Sequence, residues 1–329
     1  MNTVPRLTIG LPVYNGENYV AQTIEALLGQ TYEDFELIIS DNASIDGTAD
    51  ICRHYAKSDS RVRYTRQPRN IGAAPNHNFL VREARGELFK WAGADDLFAR
   101  SLVERCVAEL DEHPEAVLAH SWTAAIDGAN NVTQTLEYPL KTDSSSAPER
   151  FRTMLFGTGK ADGGLIRADD MYGVMRTSVL RRVPQGSYYH SDRVLMTEVV
   201  LYGPFRQVPE WLYFRRDHSD RPQHATPTIR GWCANLDPRR RNKLLHPTPR
   251  LLAEFLLGYV TAIAHAPLSA ADRSKCYRLL TEWILGRAAP VGRQLLGRGV
   301  FAWDEVAIPT PANVPLDKIV AGLEKEHQS

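Results

Sequence analysis

Over the first hundred residues, short apolar runs alternate with stretches of helical period. The apolar runs fall at residues 7–13, 35–40, 62–65 and 87–91. Between them, residues 17–28, 47–57 and 73–84 space their apolar positions three or four apart. Strands alternating with helices of this length predict βαβ units and a mostly parallel sheet. A helix over 101–112, stopped by Pro114, and a strand over 116–122 continue the pattern. Residues 127–148 are polar and Ser-rich, which predicts a hairpin or an excursion loop; 157–191 are Gly-rich and irregular, and 208–215 read as a late strand. Beyond Arg221 the alternation ceases. Pro-bounded helical patterns at 250–265 and 270–285 predict a helical C-terminal extension starting near residue 225.

Composition narrows the classes of partner. The 39 basic and 39 acidic side chains balance, so no global field draws in nucleic acid. Cys52, Cys106, Cys233 and Cys276 lie far apart without metal-ligand spacing, the pattern of reduced thiols in a cytoplasmic protein. The N-terminus has no apolar signal-peptide core. The most apolar stretch, 251–264, is interrupted by Glu254 and is too short to span a bilayer.

Candidate chemistry concentrates where the apolar runs end. In WAGADDL, a strand rises to a small-residue turn and then to Asp95 and Asp96. Open α/β sheets place ligands at that carboxyl edge, and paired carboxylates suit a hard divalent cation, which suits a diphosphate. The alternative is an acidic cap for the helix that starts near Ser101. The first strand ends in LPVYN without the glycine fingerprint of a dinucleotide site. Pro12 fixes the backbone there and Tyr14 offers a flat face for a base, while Asn15 or Asn18 can simply cap the next helix. Asp41 closes the second run, placed to accept an imide N–H or sugar hydroxyl, or to form an Asx turn. Asn70, Gly72, Asn76 and Asn78 open the third helix, where amides can bond ligand or backbone.

Taken in order, LPVYN, QTYEDFELIISDNASIDGT, RNIGAAPNHN, ARGE and ADD resemble the nucleotide-binding half of family-2 glycosyltransferases, from about residue 6 to 110. The resemblance persists more faintly through SDRVLMTEVVLYG and the RRDH of residues 215–218. It implies the α/β GT-A fold, a Rossmann-like nucleotide-diphospho-sugar transferase with a mixed, mostly parallel sheet flanked by helices. Residues 1–100 would form the nucleotide-sugar half, 101–222 the acceptor half and 223–329 the helical extension. Carried over by position, Asp41 matches the residue that recognises the base, beside Pro12, Tyr14 and Asn15, with Asn70 and Asn78 also on the donor. Asp95 would touch the ribose, and Asp96 with His218 would hold Mg²⁺ or Mn²⁺ on the diphosphate. Asp192 matches the catalytic base. Two departures stand out: Gly93 replaces an aspartate that often opens the acidic motif, and His77 stands where the family commonly has Arg before Asn78. A mostly neutral imidazole is not a fixed cationic fork.

The expected reaction is inverting transfer from a UDP- or dTDP-sugar to a hydroxyl of a saccharide, glycolipid or natural-product acceptor. Asp169, Asp170 and Gly173, with Trp122, Trp211, Tyr188 and Tyr189, are acceptor candidates, the aromatics being equally at home in a core. The run from Gly157 to Lys160 lacks Walker spacing and is not read as a phosphate loop. Residues 239–243 (RRRNK), with Arg287, Arg293 and Arg298, form either a solvated face or a peripheral contact with an anionic membrane. A homodimer through the helical extension stays open. Among rivals, a sugar-phosphate nucleotidyltransferase would need a Gly-rich basic loop after the first strand, and LPVYNGENY has none. A non-catalytic nucleotide-sugar-binding module would have no need to retain Asp41, Asp95, Asp96, Asp192 and His218 together.

Overall fold

Four parallel strands form the first half of the sheet: β1 (Leu7–Val13), β2 (Phe35–Asp41), β3 (Val62–Arg66) and β4 (Leu88–Trp91), side by side in the order β3-β2-β1-β4. In this computed structural model, residues 4–136, 140–157, 168–218 and 228–295 are described. Helices α1 (Val20–Leu28), α2 (Thr48–Ser58) and α3 (Ala73–Glu83) make the crossovers. Helices cover both faces, so β1, β2 and β4 are almost wholly buried, which is why they read as unbroken apolar runs. The chain leaves β1 for β2 on one side and reaches β4 on the other. The loops after β1 and β4 therefore flank a topological switch point, where such sheets open a ligand crevice.

The second half extends the same sheet. β8 (Val174–Arg176) lies antiparallel between β4 and β6 (Leu118–Ile126), which pairs in parallel with β9 (Phe205–Arg216). β5 (Leu97–Phe98) is antiparallel on β9, and β7 (Val132–Leu136) folds back on β6 as a hairpin in the stretch expected to form one. Helices α4 (Leu102–Glu112) and α5 (Ala147–Phe156) flank these strands. The segment read as irregular supplies a central strand, β8, too short to show any period. It also holds a 3₁₀ helix, Ala168–Tyr172, and the short α6 (Thr177–Leu180). Residues Thr158 to Lys160 and the Asp169 side chain lie outside the described residues.

Beyond α7 (Ser191–Tyr202), the C-terminal extension comprises α8 (Ile229–Leu236), α9 (Thr248–His265) and α10 (Ala270–Leu295). Its own core joins Phe151 and Leu155 of α5 and Val194 and Leu201 of α7 to Tyr259, Ile263, Leu280 and Trp283. It also reaches the first half of the sheet. Gly72 caps α3 at φ 90°, and a Cβ there would lie 2.4 Å from the Leu236 carbonyl of α8, so conformation and space both exclude a side chain. Among the described residues no helix is long and apolar enough to cross a membrane.

Candidate active site

Three segments meet at the switch point: the loop after β1, the acidic loop after β4, and the end of β9. Thr23 of α1 donates to the Ala94 and Asp96 carbonyls at 3.1 and 2.9 Å, pinning the acidic loop. Asp96 is 0 % exposed. Its Oδ2 accepts from the Tyr213 hydroxyl and its Oδ1 from the Arg216 backbone N–H at 3.0 Å. Asp95 is turned differently: its Oδ2 lies 3.0 Å from Nε2 of His218, on the more accessible side of the loop. This departs from the sequence expectation, which joined His218 to Asp96; both Asp96 oxygens are engaged by the protein, and His218 meets Asp95. A Cβ at Gly93 would fall 2.2 Å from Asp96 Oδ2. The additional aspartate that often opens the family motif therefore could not be seated here without moving Asp96.

Arg216 holds this corner together. Its fully buried guanidinium donates to the Asp95 carbonyl at 2.7 Å, the Asp127 carbonyl at 3.0 Å, Asn130 Oδ1 and Gln22 Oε1, and lies 4.5 Å above the Tyr19 ring. The His218 ring sits 5.0 Å from the same tyrosine. Below, Lys90 is buried in β4, where its ammonium donates to the Tyr172 carbonyl and stands 4.7 Å from the Phe98 ring and 5.9 Å from Tyr213. Burial pushes its pKa down to about 8. Arg216 and Lys90 were missed as site residues. A lysine inside an otherwise apolar strand was the available signal for Lys90; Arg216 carried none, because RRDH reads equally well as a polar loop.

At the end of β2, in register with Val13 of β1, Asp41 is also 0 % exposed. Its Oδ1 accepts from Ser44 N–H at 2.8 Å and its Oδ2 from the Tyr64 hydroxyl at 2.8 Å, with Arg66 at 3.8 Å. The turn it forms carries Ala43 at φ 63°. A ligand N–H reaches Asp41 only after a neighbouring side chain moves. Asn15, at φ 52°, accepts from Ile45 N–H, and Asn70 accepts from Asn42 and from Gly72 N–H, so both amides brace loops. Beside them Tyr14 presents an open ring, 47 % exposed, and Pro12 lies two residues earlier, in β1.

Asp192 occupies the first turn of α7, after His190 in a left-handed conformation at φ 50°. Its Oδ1 is buried with no hydrogen-bond partner among the described residues. Its charge acts on His77, whose Nδ1 lies 2.6 Å from Gln185 Oε1 and whose ring packs 5.9 Å from Trp91 at the end of β4. Burial drives the His77 pKa down. Asn78 exchanges two 2.8 Å hydrogen bonds with the Gln185 backbone, so it ties α3 to the approach of α7.

Asp170 Oδ1 is 3.5 Å from His120 Nδ1. A Cβ at Gly173 would be 2.5 Å from the Ala119 carbonyl, so the close approach it allows is to β6. Trp122 packs 5.2 Å from Trp211, and neither indole N–H finds a partner among the described residues. Tyr188 and Tyr189 lie against Gly258 and Phe255 of α9. All four cysteines are buried and unpaired.

A cation would find a suitable donor set at Asp95 and His218, a carboxylate beside an imidazole. Nδ1 of His218 is buried without a hydrogen-bond partner among the described residues, as an imidazole held for another purpose would be. Among the described residues no group of three His, Cys, Asp or Glu side chains forms a complete metal cage.

The family model for Glycosyl transferase family 2 matches residues 8–178, more than half of the chain, and the chain belongs to that family. It is similar to the glycosyltransferase GlyG of Streptococcus pneumoniae, 30% identical over 106 residues, 32% of this chain and 35% of that protein. It is likewise similar to the uncharacterized glycosyltransferase EpsJ of Bacillus subtilis, 30% identical over 110 residues, 33% of this chain and 32% of that protein. The matched stretch thus spans about a third of each relative. The fold is similar to the crystal structure of S. aureus TarS 1–349 in complex with UDP-GlcNAc: TM-score 0.52 at 14% identity, covering 85% of this chain and 92% of that one.

Proposed function

We infer that the protein transfers a glycosyl group, with inversion, from a nucleoside-diphosphate sugar to an acceptor hydroxyl. The observation that carries this reading is the meeting of the Asp95–His218 pair, Arg216 and Tyr19 at the switch point, in the loop region after β1 that also carries Tyr14. Tyr14 stacks the base, and Asp41 and Asn15 hold the turn beneath it. Asp95 and His218 would hold Mg²⁺ or Mn²⁺, supplying a carboxylate and an imidazole. When bound, the ion stabilises the negative charge gathering on the leaving diphosphate. Asp96 acts from underneath, fixing Tyr213 and the β9 backbone so that His218 reaches Asp95.

Asp192 receives the acceptor proton. Inversion requires the hydroxyl to attack the anomeric carbon from the face opposite the diphosphate, and a carboxylate beside that hydroxyl takes its proton as the bond forms. The unpartnered Oδ1 of Asp192 suits this task. His77, whose pKa burial lowers, stands there without the fixed positive charge of an arginine. The donor is a UDP- or dTDP-sugar; the TarS structure of similar fold holds UDP-GlcNAc. The acceptor is a saccharide, glycolipid or natural-product hydroxyl on the side of β6 and the 3₁₀ helix, near Asp170 and Trp122.

Incubating the protein with a panel of nucleotide sugars and Mn²⁺ should release nucleoside diphosphate from one of them, slowly to water and faster with acceptor. No release from any donor, with or without metal, would remove the enzyme reading.

A further inference from the structure

The turn between the 3₁₀ helix Pro238–Arg241 and α9 holds two leucines out to solvent, Leu244 at 93 % and Leu245 at 61 % exposure. Between residues 237 and 254 stand five Arg or Lys side chains and two acids. Both acids are engaged: Asp237 pairs with Arg239 at 2.7 Å, and Glu254 pairs with Arg240 and, at 2.9 Å, with Arg250. Arg241 and Lys243 are exposed on either side of Asn242, next to the leucines, without an ion pair among the described residues. Arg250 also donates to the Leu245 carbonyl at 2.6 Å, which fastens the turn to α9. From Arg250 the exposed positions run Ala253, Leu257, Val260, Ala264, in steps of three and four, with Leu256 beside them. That spacing puts one apolar stripe on the outer face of α9, continuing from the turn.

We propose that this turn and the outer face of α9 dock the protein on an anionic phospholipid surface. Leu244 and Leu245 enter the boundary between headgroups and acyl chains, and Arg241 and Lys243 meet lipid phosphates. The charge excess selects this occupant over a second copy, because a twofold contact would set the same cations against themselves. The chain as a whole is neutral, so the attraction is local to the patch. The basic run read from the sequence thus gains an apolar partner that the sequence pattern hid; Arg298 and the side chains of Arg287 and Arg293 lie outside the described residues.

Co-sedimentation of the full chain with phosphatidylcholine vesicles, with and without phosphatidylglycerol, tests this. Binding is expected to the anionic vesicles only and to weaken as salt rises. Replacing both cations, Arg241→Ala with Lys243→Ala, should lower partitioning roughly 30-fold. Leu244→Ala with Leu245→Ala should lower it at least roughly tenfold. Both variants should keep the parent's unfolding midpoint and its turnover of soluble donor. Equal binding to neutral vesicles, or binding that neither variant weakens, would overturn the proposal. So would no binding at all, whether a second copy covers the patch (a dimer by light scattering that the leucine variant dissociates) or residues 296–329 do. Lipid binding is read without sugar transfer, so an error in the active-site reading leaves this test intact.

Discussion

The loop after β4 and the start of α7 each carry an acid with buried oxygens, and the protein treats the two in opposite ways. In the loop, Asp96 has both oxygens engaged by Tyr213 and Arg216, Thr23 holds the backbone, and the Arg216 guanidinium ties Asp95 to the β6–β7 hairpin. At the helix start, Asp192 follows a left-handed histidine and keeps a buried oxygen without a partner among the described residues. Buried polar atoms are usually satisfied, and exceptions tend to mark function. The contrast separates a corner whose polar atoms are already paired from a carboxylate with one buried oxygen unpartnered among the described residues. Of the paired acids, Asp96 is wholly buried with both oxygens engaged, and Asp95 is turned to His218 on the more accessible side of the loop.

The largest effect expected from that contrast is on transfer. Asp192→Asn should cut glycosyl transfer by ~10²–10⁴-fold while donor binding and the denaturant midpoint stay near the parent's. Transfer at the parent rate would break the comparison at the helix start. Next, Asp95→Asn should lower metal-stimulated donor turnover about hundredfold with little change in stability; a metal response equal to the parent's would return the cation to another residue. Asp96→Asn should do the reverse, costing about 2–3 kcal/mol of unfolding free energy as charge-assisted bonds from Tyr213 and Arg216 are lost. A variant as stable as the parent but blind to metal would make Asp96, after all, the ligand.

The smallest effect concerns His77. Burial depresses its pKa in the fold, against the Gln185 hydrogen bond and the Asp192 charge. The unfolded chain, with a pKa of about 6.5, therefore takes up a proton that the folded chain resists, and stability declines as pH falls below that value. His77→Gln should flatten this decline by about 1 kcal/mol or less between roughly pH 6.5 and 5.5. Denaturant unfolding at each pH measures it, and identical slopes in both proteins would show that His77 does not contribute.

The elements of the first hundred residues were legible because each has its own period or apolar run. The expected strand over 7–13 is β1 itself, and the helix expected over 73–84 is α3, Ala73–Glu83. β8 was not legible: three residues carry no alternation, and their strand pairing comes wholly from β4 and β6 on either side. The site divides along the same line. That Asp95 and Asp96 sit at a sheet edge followed from an apolar run ending in a turn. Which of them faces His218 depends on Tyr213 and Arg216, more than a hundred residues away in sequence. No local pattern records such a contact. Asn78 shows the limit equally well, since its binding partner is the Gln185 backbone.

Gly72 carries a consequence for anyone engineering this chain. With the Leu236 carbonyl where its side chain would begin, the loop before α3 and the last helices are fitted to each other at a point without slack. A minimal catalytic fragment ending after β9 would uncover that loop, and a chimera exchanging the C-terminal helices would have to bring a matching α8 end with them.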